Sequence, residues 1–170
     1  MSSKVLGMHH IGITVPNLKE AVAFFELVFD AVKVFSTGPF DVDEYFMTHR
    51  LGTPAHTKIK DLVFLRCGDG TSLELFEYSG EDSGARPKRN SEIGGAHIAI
   101  EVEDTHATVE RLKAKGIEFL DGPNVVTEGP LAGLTWIYFY APWGQSLEFV
   151  SFNKLGYETD TTNRIWSAKD

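Results

Sequence analysis

The most regular hydrophobic pattern in the chain is an alternation that occurs twice. Residues 8–15 read MHHIGITV, and residues 96–102 read AHIAIEV. In both stretches every second residue is Ile or Val, which predicts a β-strand with one face in an apolar core. His10 and His97 begin the opposite face of their strands, beside small residues. This face therefore has room for a ligand.

The elements that follow each of these strands occur in the same order. After the first strand, Asn17 and Glu20 form a capping-box pattern that predicts a helix ending near Asp30. Strands are predicted over 32–35, 62–65 and 72–78, with an irregular acidic stretch between 37 and 56. After the second strand, a helix capped at Asp104 or Thr105 is predicted to stop by residue 116, followed by strands over 117–120, 134–140 and 145–152.

This order, βαβββ repeated once, predicts an α+β fold. Its period is too long for a solenoid repeat, so two half-domains of one structure are expected. We expect two βαβββ modules, paired edge to edge into a cup-shaped, partly open β-barrel with the helices outside. The predicted division is a first module over 1–78, a linker over 79–93, a second module over 94–152 and a tail over 153–170. The tail is polar, with Trp166 as a candidate anchor.

A second feature is repeated in the closing strand of each module. Glu74 lies within LEL and Glu148 within LEF, so both carboxylates should face away from the core when their apolar neighbours face into it. Each residue alone is more simply a structural histidine or a solvated glutamate. Together, two imidazoles and two carboxylates suit one divalent ion, with Zn, Ni, Co, Mn and Fe all compatible. The candidate metal ligands are His10, Glu74, His97 and Glu148.

Other residues with reactive side chains have simpler interpretations. His9 shares the parity of Ile11 and Ile13, so we expect it on the core side in a structural role. Cys67, the single cysteine, ends an apolar strand pattern and is expected to be an inert packing residue. The remaining histidines match no repeat and are expected at the surface: His49, His56 and His106.

The net charge and hydropathy of the chain limit the classes of partner that are expected and indicate a cellular compartment. A formal net charge of −8 disfavours nucleic acid and anionic membranes, because both repel an acidic surface. No run approaches the roughly 18 apolar residues of a membrane span, and the first residues lack the apolar segment of a signal peptide. A lone cysteine forms no internal disulfide, so we expect a cytoplasmic protein. A small-molecule substrate and a homodimer both remain compatible with the sequence.

On these residues the chain resembles the vicinal oxygen chelate superfamily. That superfamily contains glyoxalase I, methylmalonyl-CoA epimerase, extradiol dioxygenases, and fosfomycin and bleomycin resistance proteins. The resemblance covers residues 7–152 and implies a metal site at His10, Glu74, His97 and Glu148. The APWGQ turn at 141–145 lacks the first acidic residue usual in the family. The segments RCG at 66–68, LELFEY at 73–78 and GPLAG at 129–133 are similar to a branch with valiolone-type cyclitol epimerases.

The resemblance implies a metal-dependent epimerase or isomerase. Such an enzyme removes a proton next to a carbonyl whose neighbouring oxygens chelate the metal, through an enediolate. Glu74 and Glu148 are the candidate base and acid, in either order. Three alternatives remain: a glyoxalase I-type lactoylglutathione lyase, an Fe(II) extradiol-type dioxygenase, and a non-catalytic small-molecule-binding protein of the resistance type. Ring-opening dioxygenases of the family use two histidines and one glutamate, so a carboxylate at Glu74 favours non-redox proton transfer.

Overall fold

A computed structural model describes residues 4–80 and 86–167 of the 170-residue chain. The described residues divide into two compact units, 4–80 and 86–167, called here the first and second unit. Residues 1–3, residues 81–85 of the predicted linker and residues 168–170 of the predicted tail lie outside the described residues.

The first unit is a four-stranded mixed sheet with one long helix. The strands lie in the order β1-β4-β3-β2; β1 runs parallel to β4, and the other neighbours are antiparallel. The elements are β1 (His10–Thr14), α1 (Leu18–Phe29), β2 (Val32–Thr37), a π-helical turn (Phe46–Arg50), β3 (Lys58–Arg66) and β4 (Ser72–Ser79).

Helix α1 begins and ends where its local sequence dictates. The Asn17 side chain accepts a hydrogen bond from the Glu20 amide at 3.1 Å, which satisfies one of the free amides of the first turn. Asp30 ends the helix in the left-handed conformation, with φ of 50°. The apolar stripe of α1 packs against one face of the sheet, where Phe25, Leu65 and Leu75 are fully buried. The opposite face of the sheet is left open by the helix.

The second unit repeats this architecture. Its strands lie in the order β5-β8-β7-β6, again with the first strand parallel to the last. The elements are β5 (His97–Glu101), α2 (Thr105–Lys113), β6 (Asn124–Val125), β7 (Thr135–Tyr140), β8 (Ser146–Ser151) and a 3₁₀ turn (Gly156–Thr159). The predicted α+β class and the βαβββ order of each module are therefore confirmed.

The second core is built mainly from aromatic and aliphatic side chains. Phe139 and Phe149 stack with ring centroids 4.9 Å apart, and Leu112 of α2 is fully buried on the same side of the sheet. Burial of each such side chain contributes about 2–3 kcal/mol to folding, before entropy is counted. Asp104 caps α2 through a hydrogen bond from the Ala107 amide at 3.1 Å. Of the two caps considered for this helix, Asp104 is the one used.

The predicted strand over 117–120 is wrong in extent. Phe119 forms only an isolated bridge with Phe139, and the paired strand is the two-residue β6, which lies between the strands predicted over 117–120 and 134–140. The reason is packing, because the Phe119 ring contacts Phe139 and Phe149 in the core. The short alternation in sequence therefore reflects one anchored side chain and not a continuous ladder. The irregular stretch over 37–56 also contains structure, since its π-helical turn buries Met47.

The C-terminal tail is attached to the second unit, but not through Trp166. Leu155 is buried, and the Gly156 amide donates to the carbonyl of Ala132 at 2.9 Å. Further along, the Ser167 hydroxyl donates to Glu101 Oε1 at 2.8 Å. Trp166 is 62% exposed, so its proposed anchoring role is wrong. No helix among residues 4–80 and 86–167 is both long and apolar enough to cross a membrane.

Glu77 links the sheet to the start of α1. Its carboxylate accepts a hydrogen bond from the Leu18 amide at 2.9 Å and forms an ion pair with Lys60. The hydrogen bond from Lys60, together with that from Leu18, lowers the pKa of Glu77. A negative charge here also interacts favourably with the positive end of the helix.

We expect Glu77→Gln to lower the free energy of unfolding near pH 7 by about 1 kcal/mol, since one charge-assisted contact at a partly exposed site is lost. Because the folded-state pKa is depressed, this contribution exists above the unfolded pKa and disappears as the pH falls through the folded one. Urea unfolding at a series of pH values should therefore show the difference from wild type narrowing in acid. Glu26→Gln, an exposed change on α1, is the matched control. A difference that stays constant with pH would contradict this account.

The predicted inert role of Cys67 has a direct chemical test. The thiol is 8% exposed, and burial raises its pKa to about 11. At pH 8 it is therefore protonated and shielded, and we expect a thiol reagent such as Ellman's reagent to react slowly with folded protein. One equivalent should react rapidly after unfolding in guanidinium chloride. Rapid labelling of the folded protein would show an accessible thiolate instead.

Candidate metal centre

The first candidate pair lies on the open face of the first sheet. Parallel pairing of β1 with β4 sets Gly12 opposite Glu74, so that His10 lies diagonal to the carboxylate. The two side chains meet, with His10 Nε2 3.1 Å from Glu74 Oε2. Position 12 has room for a Cβ, which would lie 3.5 Å from Glu74 Oε2, an ordinary van der Waals distance.

The second unit reproduces this pair with the same atoms. Parallel pairing of β5 with β8 sets Ala99 opposite Glu148, and His97 Nε2 lies 3.0 Å from Glu148 Oε2. Both histidine side chains are 38% exposed, whereas the two carboxylates are more buried. The structure therefore brings the four sequence-predicted ligands together as two pairs, one in each unit.

One aromatic ring lies beside each pair. In the first unit Phe64 of β3 is opposite Glu74, and its ring meets the His10 ring edge-on at 5.5 Å. In the second unit Tyr138 of β7 is opposite Glu148. Each ring therefore helps to fix its histidine on the open face.

Tyr138 adds a hydroxyl to the second pair. Its ring is edge-on to His97 at 5.2 Å, and its hydroxyl lies 3.4 Å from His97 Nε2. Burial, the charge of Glu148 and a hydrogen bond to that carboxylate raise the pKa of Tyr138 to about 12. The phenol therefore keeps its proton at neutral pH and can act as a donor.

Glu148 lies in a different environment from a surface glutamate. It is 8% exposed, and burial raises its pKa because the charged form loses hydration. The hydrogen bond from Tyr138 and the nearby His97 act in the opposite direction. The carboxylate thus combines partial desolvation with two polar neighbours, a setting in which proton transfer and metal binding are both chemically suitable.

The donor atoms of each pair fit a divalent metal. Zinc bound to imidazole nitrogen and carboxylate oxygen has bond lengths of about 2.0–2.2 Å, which puts the ligand atoms of a tetrahedral site about 3.4 Å apart. The separations of 3.0 and 3.1 Å are those of ion pairs, and a small outward movement of the side chains would suit the metal. Among residues 4–80 and 86–167, no three His, Cys, Asp or Glu side chains lie together as a group that could hold a metal. The arrangement that these residues show is two pairs of two donors.

His9 is not on the core side, so that prediction is wrong. Strand β1 begins at His10, and His9 lies before it as an exposed residue. Its Nδ1 is 2.8 Å from Nδ1 of His10, the ring nitrogen that faces away from Glu74. A group bonded to the second nitrogen of a ligating histidine fixes the orientation of the ring. The alternation of faces could not reveal this contact, because alternation holds only for residues inside the strand and His9 lies before it.

The other expectations concern residues around the pairs. The register places three further aromatic residues on the open faces: Phe76, Trp136 and Tyr138. Phe64 was missed, although its position in the alternation of β3 could have identified it. The three remaining histidines are exposed, as expected: His49, His56 and His106.

Comparison with known proteins identifies relatives over most of the chain. The model of the Glyoxalase/Bleomycin resistance protein/Dioxygenase superfamily matches residues 7–149. A 2-epi-5-epi-valiolone epimerase from Actinomyces sp is 40% identical over 147 residues, which are 86% of this chain and 79% of that protein.

Solved structures share the fold. A glyoxalase family protein from Bacillus cereus has a TM-score of 0.68 at 20% identity, covering 89% of this chain and 97% of its own. The fosfomycin resistance protein FosX from Listeria monocytogenes, complexed with Mn(II) and 1S,2S-dihydroxypropylphosphonic acid, has a TM-score of 0.60 at 21% identity. That match covers 88% of this chain and 95% of FosX. At these identities the likeness concerns the fold alone.

Proposed function

Because the chain belongs to the Glyoxalase/Bleomycin resistance protein/Dioxygenase superfamily, we propose that it is a metal-dependent epimerase of a polyhydroxylated cyclic ketone. The observation that carries the reaction is the 40% identity to a protein named as a 2-epi-5-epi-valiolone epimerase, over 86% of this chain. The substrate class is therefore a cyclitol ketone, whose carbonyl and neighbouring hydroxyl offer two adjacent oxygens. Such a substrate suits a small site of mixed polar and aromatic side chains.

The proposed metal site combines the two pairs. His10 and Glu74 of the first unit and His97 and Glu148 of the second would bind one divalent ion. Support comes from the donor separations within each pair and from the equivalent register of the two pairs in their sheets. Two carboxylates balance the charge of the ion, and four protein ligands leave positions for substrate oxygens.

The chain's own residues would supply the proton transfer. When bound, the metal would act as a Lewis acid that lowers the cost of negative charge on the substrate carbonyl oxygen. Glu74 and Glu148 would take the proton from the carbon next to that carbonyl and return it on the other side. His10 and His97 orient these carboxylates through the contacts at 3.1 and 3.0 Å. Phe64 and Tyr138 cover one side of each pair and limit the access of water.

The alternative of a glutathione-dependent lyase requires free basic groups for the tripeptide carboxylates. Arg86 is instead paired with Glu92, with Nη1 2.8 Å from Oε2, and this pairing lowers the pKa of Glu92 to about 2. Lys88 Nζ donates to the carbonyl of Ile93 at 2.7 Å, and Arg50 lies over the Phe46 ring. These candidate cations are engaged within their own units, which favours a neutral cyclitol over an anionic thiol adduct.

The metal site predicts a specific loss of binding. Protein stripped with a chelator should bind Mn(II) or Zn(II) at one ion per chain, and His10→Ala and Glu148→Gln should each weaken binding by more than about 100-fold. This expectation follows because outer-shell changes alone cost about 10- to 100-fold. Calorimetric titration measures the affinity, and His106→Ala, an exposed histidine outside the pairs, is the control. Unchanged affinity in both variants would refute the site.

The reaction predicts proton exchange with solvent. Metal-loaded protein incubated with 2-epi-5-epi-valiolone in deuterated water should introduce deuterium next to the carbonyl, as followed by ¹H NMR. Glu74→Gln and Glu148→Gln should each slow epimerisation by about 100-fold or more, since general acid–base groups contribute about 10²–10⁴-fold. Glu26→Gln is the matched control. Tight binding of the ketone without exchange would instead support a non-catalytic binding protein.

A further inference from the structure

A cavity outside the two pairs lies in the first unit, beside the π-helical turn. Its volume is about 280 Å³, and six residues form its wall: Asp41, Val42, Asp43, Tyr45, Phe46 and Arg50. All six belong to the acidic stretch between β2 and β3, for which the sequence predicted no regular structure. Pockets for drug-sized ligands have volumes of about 300–1,000 Å³, so this cavity suits a smaller molecule.

The wall of this cavity is already ordered. Met47 is buried and anchors the turn, and the Asp43 carboxylate accepts a hydrogen bond from the Phe46 amide at 2.8 Å. The Leu51 amide donates to the carbonyl of Phe46 at 3.3 Å, with the five-residue spacing of a π-helix. π-Helical turns are rare and frequently lie at functional sites. A ligand would therefore meet a formed site and lose little affinity to ordering the chain.

Two opposite charges line the cavity without pairing. Within residues 4–80 and 86–167, neither the Asp41 carboxylate nor the Arg50 guanidinium forms an ion pair. Arg50 instead lies over the Phe46 ring, with Cζ 5.4 Å from the ring centroid. That contact uses the face of the guanidinium and leaves the N–H groups at its edge for a planar anion such as a carboxylate.

The rest of the wall indicates what else the ligand carries. Asp41 and Asp43 outnumber Arg50, so a ligand with only an anionic group would face an excess of negative charge. An ammonium group removes that conflict, since it donates hydrogen bonds to carboxylates. Tyr45 supplies an apolar surface, because its ring is stacked on His49 at 4.4 Å and the residue is still 61% exposed. A ligand with an ammonium, a carboxylate and an apolar part is therefore complementary to the charged and aromatic groups of the wall.

We propose that this cavity binds a free α-amino acid with an apolar or aromatic side chain. Arg50 binds the α-carboxylate, and the α-ammonium group donates to Asp41 and Asp43. The amino-acid side chain packs on Tyr45. The site is independent of the proposed epimerase function, because all of its groups lie in the first unit and none belongs to the candidate metal pair of that unit.

The experiment titrates the full chain with L-phenylalanine and follows backbone ¹H–¹⁵N resonances by NMR. Two further probes each retain one charge: phenethylamine has only the ammonium group, and 3-phenylpropionate has only the carboxylate. We expect L-phenylalanine to bind with a dissociation constant in the millimolar range or below and to shift amide resonances of residues 41–50. Each single-charge probe should bind at least about 10-fold more weakly, because it gives up one charge-assisted contact.

Variants test which residue holds which charge. Arg50→Gln should weaken binding of L-phenylalanine by about 10-fold, because the carboxylate loses its partner, and should leave phenethylamine no weaker. Asp41→Asn should weaken both L-phenylalanine and phenethylamine by about the same factor, since both present an ammonium group. Lys19→Gln and Glu26→Gln are exposed changes of matching charge on α1, and these controls should leave the affinity unchanged.

Each outcome decides for or against this site. No binding of L-phenylalanine at millimolar concentration, or shifts confined to residues outside 41–50, would overturn the proposal. Equal affinity for L-phenylalanine and both single-charge probes would also overturn it, as would unchanged affinity in both Arg50→Gln and Asp41→Asn. A loss in the two controls as large as in these variants would show a general charge effect and overturn the site as well. None of these results bears on deuterium exchange at the ketone, so failure of this site leaves the proposed function in place.

Discussion

The candidate site depends on the parallel pairing of the first and last strands in each unit. Strands β1 and β4, and likewise β5 and β8, are distant in sequence but adjacent in the sheet, and their register places a histidine diagonal to a glutamate. A shift of one residue would turn one of these side chains into the core. The register is held because Ile98, Leu73 and Leu147 are buried on the helix side. Hydrophobic packing on one face thus fixes the polar geometry of the other.

The same division of faces explains why each carboxylate can be partly buried beside a histidine. Glu148 loses hydration among aromatic neighbours, and Tyr138 and His97 offset part of that cost. A buried carboxylate with imperfect compensation stores free energy that binding of a cation can release. In the proposed metal site, this free energy would be released when the cation binds.

The two units show how a duplicated sheet can acquire unequal halves without a change of fold. The backbone register, the histidine and the glutamate are retained in both, while the opposite ring is Phe64 in one and Tyr138 in the other. An added hydroxyl costs little in packing and introduces one directional contact.

Much of this arrangement is determined by the sequence itself. Strict alternation identified the strands that begin at His10 and His97, and parity assigned Glu74 and Glu148 to the open faces, because side chains of a strand must alternate. Capping residues such as Asn17 and Asp104 marked the helix starts for an equally local reason. The binding of one metal ion by all four ligands stays a prediction.

Only tertiary structure decided the remainder. The contact of His9 with His10, the packing of Phe119 in the core and the attachment of the tail through Ser167 each join residues whose local pattern carries no signal for it. The same holds for Tyr138, which lies beside Glu148 only because β7 and β8 pair in this register. Periodicity reports which face a side chain occupies, whereas its neighbours on that face are set by register and packing between distant segments.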